Sequence, residues 1–97
     1  MSYPFVITIT VTAGDIEYGV RESCSRCPVA LATRRRFPGH SVSSGMIGVG
    51  IMKGPEWDDA RAMWYECTRE LLAFMDAFDN GDPVAPRSFT LRRKYKY

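Results

Sequence analysis

Apolar and polar residues alternate from the start of the chain. Over 5–12, Phe5, Ile7, Ile9 and Val11 face one way while Val6, Thr8, Thr10 and Thr12 face the other. Period-two alternation in a β-branched run predicts a strand with one buried face and one mostly hydroxylated face. Thr12 then stands where an N-cap belongs, with Asp15 at the capping-box spacing and Ile16 and Val20 four apart, which predicts a short helix over 13–21. Cys27-Pro28 opens a second helix, because proline suits the first helical position, where no amide donor is needed. Arg34, Arg35 and Arg36 complement the negative carboxyl end of that helix, and Pro38-Gly39 stops it.

Period two returns from Ser41. Val42 begins a strand expected to turn at Ser43-Ser44-Gly45, after which Ile47, Val49 and Ile51 alternate with Gly48 and Gly50. A glycine face either meets another backbone closely or forms a flat edge that invites a partner strand. Gly54-Pro55-Glu56 reads as a helix start, with Asp58 and Asp59 favouring its positive end. Apolar residues then recur at Trp57, Ala60, Met63, Trp64, Cys67, Leu71, Phe74, Met75 and Phe78, a helical stripe of about five to six turns ended by Asn80-Gly81. In the last segment Phe89, Leu91, Tyr95 and Tyr97 alternate with Thr90, Arg92, Lys94 and Lys96, which predicts a strand with a basic outer face. The expected fold is a single α+β domain over 1–97: a small, mostly antiparallel sheet of three to four strands carrying two short helices and one long one.

Composition narrows the class. With 97 residues, 45% hydrophobic and 25% charged, the chain is too short for a multidomain enzyme and too ordinary for disorder, a coiled coil or collagen. No apolar run is long enough for a membrane span and no basic segment leads into an apolar one, so a cytoplasmic location is expected. A formal net charge of +2 does not demand a polyanion. Its distribution is uneven: 34–53 and 83–97 carry basic residues and no acid, whereas 54–82 carries eight acids against Arg61 and Arg69. Three cysteines, Cys24, Cys27 and Cys67, are an odd number, and reduced thiols are expected.

Three stretches carry a family resemblance: Thr12 to Gly19 after the opening strand, Cys27-Pro-Val-Ala-Leu-Ala32, and Phe78-Asp-Asn-Gly-Asp-Pro-Val-Ala-Pro-Arg-Ser-Phe-Thr-Leu91. Through them the chain resembles a group of small uncharacterised proteins encoded by actinobacteria and their bacteriophages. That resemblance implies an accessory protein of a phage or prophage, acting in a bacterial host cytoplasm, and carries no catalytic residue across.

Cys24-x2-Cys27 with His40 and Cys67 makes up a Cys3His set of the kind that holds zinc. Against that reading, Pro28 fixes Cys27 at a helix start, and Cys67 falls on the apolar stripe, where a buried cysteine acts as a small hydrophobe. His40 is the one histidine, and a triad with Ser41, Ser43 or Ser44 lacks a nucleophile elbow. Gly45, Gly48 and Gly50 precede no Lys-Ser or Lys-Thr, so a strand explains them better than a phosphate loop. Asp76, Asp79 and Asp82 lack the spacing of a calcium loop. No catalytic site and no cofactor is expected. Two binding readings remain. Two Trp, five Tyr, five Phe and five Met exceed what a small domain easily buries, which favours association with a host protein or a second copy through Trp57, Met63, Trp64 and Leu71 of the long helix. The competing reading is nucleic-acid binding, with Arg92, Lys94 and Lys96 on phosphates and Tyr95 and Tyr97 stacking on bases.

Overall fold

Strand β1, Val6–Val11, forms where the β-branched run predicts it, and its alternation is realised in burial: Ile7, Ile9 and Val11 are in the core while Thr8 and Thr10 face out. The structure, a computed structural model, describes residues 3–58 and 60–94. Tyr95, Lys96 and Tyr97, together with Asp59, lie outside them. β1 pairs antiparallel with β5, Arg87–Arg92, in a register that sets Ile7 opposite Leu91 and Ile9 opposite Phe89. On the outer face Thr10 and Ser88 share a hydroxyl hydrogen bond of 3.0 Å. Phe5, expected on the inner face, precedes the strand and is 42% exposed.

Helix α1, Ala13–Tyr18, carries the predicted capping box. The Thr12 amide donates to Asp15 Oδ2 at 2.9 Å, and the Asp15 amide donates to Thr12 Oγ1 at 3.2 Å. The helix ends sooner than the sequence spacing suggests, because Gly19 adopts an extended conformation, and Val20 is left exposed. Helix α2, Pro28–Arg36, starts at the predicted Cys27 cap and buries Val29, Ala30, Ala32 and Thr33 against β1 and the second strand. The two helices are tied by a bidentate ion pair that no local pattern announces. Arg35 donates to Asp15 Oδ1 at 2.8 Å and Oδ2 at 2.7 Å, and also to the Thr10 carbonyl at 2.9 Å.

Strand β2, His40–Gly45, runs through the serines where a turn was expected. The turn falls at Met46-Ile47, and β3, Gly48–Lys53, returns from it. Of the two readings of the glycine face, close approach holds. Gly48 has φ 139°, and a Cβ there would collide with the Tyr65 carbonyl oxygen. At Gly50 a Cβ would sit 2.9 Å from the rings of Trp57 and Trp64.

The long helix is corrected. The described residues 57, 58 and 60–68 do not join it: Met63–Tyr65 form β4, antiparallel to β3 with Met63 opposite Ile51, and α3 is confined to Arg69–Asp79. Thr68 caps α3 through its Oγ1, which accepts from the Leu71 amide at 3.1 Å. An aromatic pair, Trp64-Tyr65, suits a pleated strand better than a helix, and once β4 is drawn off, the threonine is the natural cap for a helix beginning at Arg69. The predicted stop at Asn80-Gly81 holds. Leu71, Phe74, Met75 and Phe78 still bury one face of this shorter helix.

The α+β class and the antiparallel pairing are as expected, but among the described residues the strands number five and divide into sheets of two and three. Among the described residues one isolated bridge, Tyr65 to Arg93, joins the sheets. It is flanked by two bonds of 2.8 Å, the Glu66 amide to the Arg92 carbonyl and the Lys94 amide to the Trp64 carbonyl. The spatial order is therefore β1-β5-β4-β3-β2. Among the described residues no helix is long and apolar enough to cross a membrane.

Replacing Gly48 by Ala is expected to cost at least about 2 kcal/mol in chemical denaturation, through both the left-handed φ and the carbonyl clash. Gly39→Ala shares a positive φ but has open space at the Cβ position, and should cost about 1 kcal/mol.

Asp15 supplies a pH prediction. Burial alone would raise its pKa, but hydrogen bonds from Arg35 and Thr12 outweigh burial and hold the carboxyl below its ordinary value. The folded state then takes up this proton less readily than the unfolded state, so the stabilisation is complete above the unfolded value and fades as pH falls through the folded one. Arg35 is 52% exposed, so solvent screens part of the charge pairing, and the hydrogen bonds from Arg35 and Thr12 carry the effect together. Asp15→Asn should cost about 1–2 kcal/mol near pH 7. The gap to wild type should narrow in urea melts near pH 3; a constant gap would show that the carboxylate charge is not involved.

Candidate functional site

The serine and cysteine residues of the middle segment meet around one turn. The Cys27 amide donates to the Ser23 carbonyl at 3.2 Å and the Arg26 amide to Ser23 Oγ at 3.0 Å, folding 23–27 into the lead of α2. This turn is fastened to the edge of β2. The Ser44 amide donates to the Cys24 carbonyl at 2.8 Å, and Ser44 Oγ, 2.9 Å from Cys27 Sγ, also donates to that carbonyl at 3.3 Å. With the serine proton so directed, the Cys27 thiol donates to Ser44 Oγ, while its sulfur accepts from the Ala30 amide at 3.4 Å. Cys27 is thus a helix cap and a buried bonding partner, whereas Cys24 is exposed.

His40 is 7% exposed and fully engaged. Its Nδ1 lies 3.0 Å from the Pro38 carbonyl, which can only accept, so Nδ1 carries the proton and Nε2 accepts from the Tyr3 hydroxyl at 2.9 Å. Cys67 lies elsewhere, half-buried just before the Thr68 cap of α3, with burial pushing its thiol pKa up. The Cys24, Cys27, His40 and Cys67 set is therefore not assembled, and among the described residues no group of three or more His, Cys, Asp or Glu is placed to hold a metal.

Two clefts flank the turn, with Cys24 on the wall of both. The first, about 250 Å³, has an apolar lining from Met46 and from Leu72, Met75 and Phe78 of α3, with Glu22, Asp76 and Asp79 also on its wall. Asp79 accepts from the Glu22 amide at 2.8 Å, which holds that side together. The second cleft, about 370 Å³, follows the outer edge of β2 and is lined by Arg34, His40, Ser41, Val42, Ser43 and Trp57.

The residues expected to form one helical contact stripe are dispersed. Leu71 is wholly buried, Met63 is half-buried in β4, and Trp57 and Trp64 meet edge to face with centroids 5.9 Å apart. In the basic strand Arg92 is exposed, the Lys94 ammonium donates to the Ile47 carbonyl, and Tyr95, Lys96 and Tyr97 lie outside the described residues. Arg34, Arg35 and Arg36 diverge: to the Ser25 carbonyl, to Asp15, and over the Phe37 ring at 4.9 Å. Sequence reasoning missed the turn residues Met46 and Ile47, which are 79% and 65% exposed. A two-residue gap between the alternating runs was the signal available for them.

No protein-family model, curated protein or solved structure matches the chain.

Thiol labelling checks this arrangement. In the folded protein at neutral pH iodoacetamide should modify Cys24 first, Cys67 more slowly and Cys27 only on unfolding. Equal rates at Cys24 and Cys27, read by peptide mass spectrometry, would mean that the Ser44 clasp does not hold.

Proposed function

We propose that the chain acts by binding another protein, with the β2–β3 turn and the adjoining cleft as the contact surface. One observation carries this reading: Met46 and Ile47 stand out at 79% and 65% exposure where a two-residue hairpin turn ordinarily holds Gly, Asn or Asp. Covering two such side chains is worth about 1.5–3 kcal/mol each. The cleft beside Met46 continues the apolar surface onto α3, and the acids Glu22, Asp76 and Asp79 suit a partner segment that joins apolar side chains to Lys or Arg. The contact surface is thus moved from the helical stripe read in the sequence to the turn.

The resemblance to small proteins of actinobacteria and their phages supports an accessory role in a bacterial host cytoplasm. The nucleic-acid reading draws less support, because Lys94 is engaged with the Ile47 carbonyl and Arg93 with the Tyr3 carbonyl at 2.9 Å.

The test is a pull-down from bacterial lysate, with and without nuclease, combined with sedimentation of the purified protein. Wild type should retain a protein partner or a second copy, and the double variant Met46→Glu/Ile47→Glu should lose it with its circular dichroism unchanged, since both residues sit at the tip of the hairpin. Leu71→Glu, by contrast, should unfold the chain, because it places a charge in the core. A double variant that keeps every protein partner removes the turn from the interface; material that is nucleic acid alone and is released by high salt sinks the proposal.

A further inference from the structure

The cleft along β2 has a different chemistry from the one beside Met46. Its volume, about 370 Å³, lies within the range of about 300–1,000 Å³ usual for small-molecule sites. Arg34, in the last turn of α2, brings a half-buried guanidinium to its wall. One nitrogen donates to the Ser25 carbonyl, and Nε is buried with no hydrogen-bond partner among the described residues. Arg35 and Arg87 each have a carboxylate; among the described residues Arg34 has none and none of those lining this cleft is an acid. The carboxyl end of α2 and the Ser25 carbonyl meet part of this charge, but Nε is left without an acceptor, and an arriving anion would supply one.

The other walls add donors and a flat apolar surface. Ser44 turns its amide outward to Cys24, so by the alternation of an antiparallel ladder Val42 also directs its amide away from β3 and toward the cleft. Ser43, half-buried on the same edge, contributes a rotatable hydroxyl. Trp57 is 37% exposed, and its ring lies over Gly50 and edge-on to Trp64; any side chain at Gly50 would displace it. We propose that this cleft binds a small anionic ligand, a phosphate or carboxylate carried on an aromatic ring, with Arg34, the Val42 amide and Ser43 on the anion and Trp57 against the ring. The site is independent of the protein contact at Met46 and Ile47.

Both tryptophans of the chain stand beside this cleft, so intrinsic fluorescence reports occupancy, with calorimetry as the second readout. Phenyl phosphate and benzoate are the probes, and the tighter of the two assigns the anion as phosphate or carboxylate. Saturable binding of at least one is expected at low ionic strength. By calorimetry Arg34→Gln and Trp57→Ala should each weaken it roughly tenfold, and Arg36→Gln should bind as wild type. Circular dichroism checks each variant, and if Arg34→Gln does not fold, Trp57→Ala decides alone. Absence of saturable binding of both probes to wild type overturns the proposal, as does unchanged affinity in the folded variants.

Discussion

The molecule depends on the seam at Tyr65. Its backbone pairs with Val49 in the three-stranded sheet and bridges Arg93 at the end of the two-stranded one, so a single residue belongs to both. The ring is fully buried, and the phenol donates to the Pro4 carbonyl at 2.6 Å. Burial pushes its pKa up, which keeps it a donor across the physiological range. Arg93 completes the seam from the other side, its amide on the Phe5 carbonyl and its guanidinium on that of Tyr3. Gly48 is glycine because the Tyr65 carbonyl occupies the space a side chain would need.

What was legible in the sequence was local. The opening strand, the Thr12–Asp15 box, the Cys27-Pro28 start and the Asn80-Gly81 stop each rest on a few neighbouring residues, and each holds in the structure. The segment between Gly54 and Thr68 misled because Met63, Trp64, Cys67 and Leu71 happen to fall at helical intervals. Their spacing is the same whether one helix holds them or a three-residue strand and a cap divide them. What decides is tertiary: the indoles of Trp57 and Trp64 find a flat bed at Gly50, and Met63 finds Ile51 across the ladder. The Asp15–Arg35 pair was illegible for a related reason, since it joins residues 20 positions apart in different helices.

The middle of the chain also shows how a motif changes meaning with its partners. Cys24-x2-Cys27 has the spacing of a metal half-site, yet the second thiol is bonded to Ser44 and to the Ala30 amide inside the fold, and the first sits in a surface turn. The pair serves as a hinge pin between α2 and β2. Cys24 is on the wall of both clefts, so the turn that carries it is a boundary the two share.

The order of strands bears on how such a chain is made. Among the described residues β1 leaves the ribosome ahead of the other elements, and the strand that pairs with it, β5, follows all of them. Ile7 and Ile9 therefore have no Leu91 or Phe89 to meet while the intervening helices and hairpin emerge, and the nascent chain must carry an unpaired, β-branched segment until β5 is made. Long-range closure of this kind is slow relative to hairpin formation, so β2 and β3 can zip up while the chain is still growing, whereas β1 must wait for its partner. The interval before β5 arrives is the period in which that segment is open to a chaperone or to wrong partners.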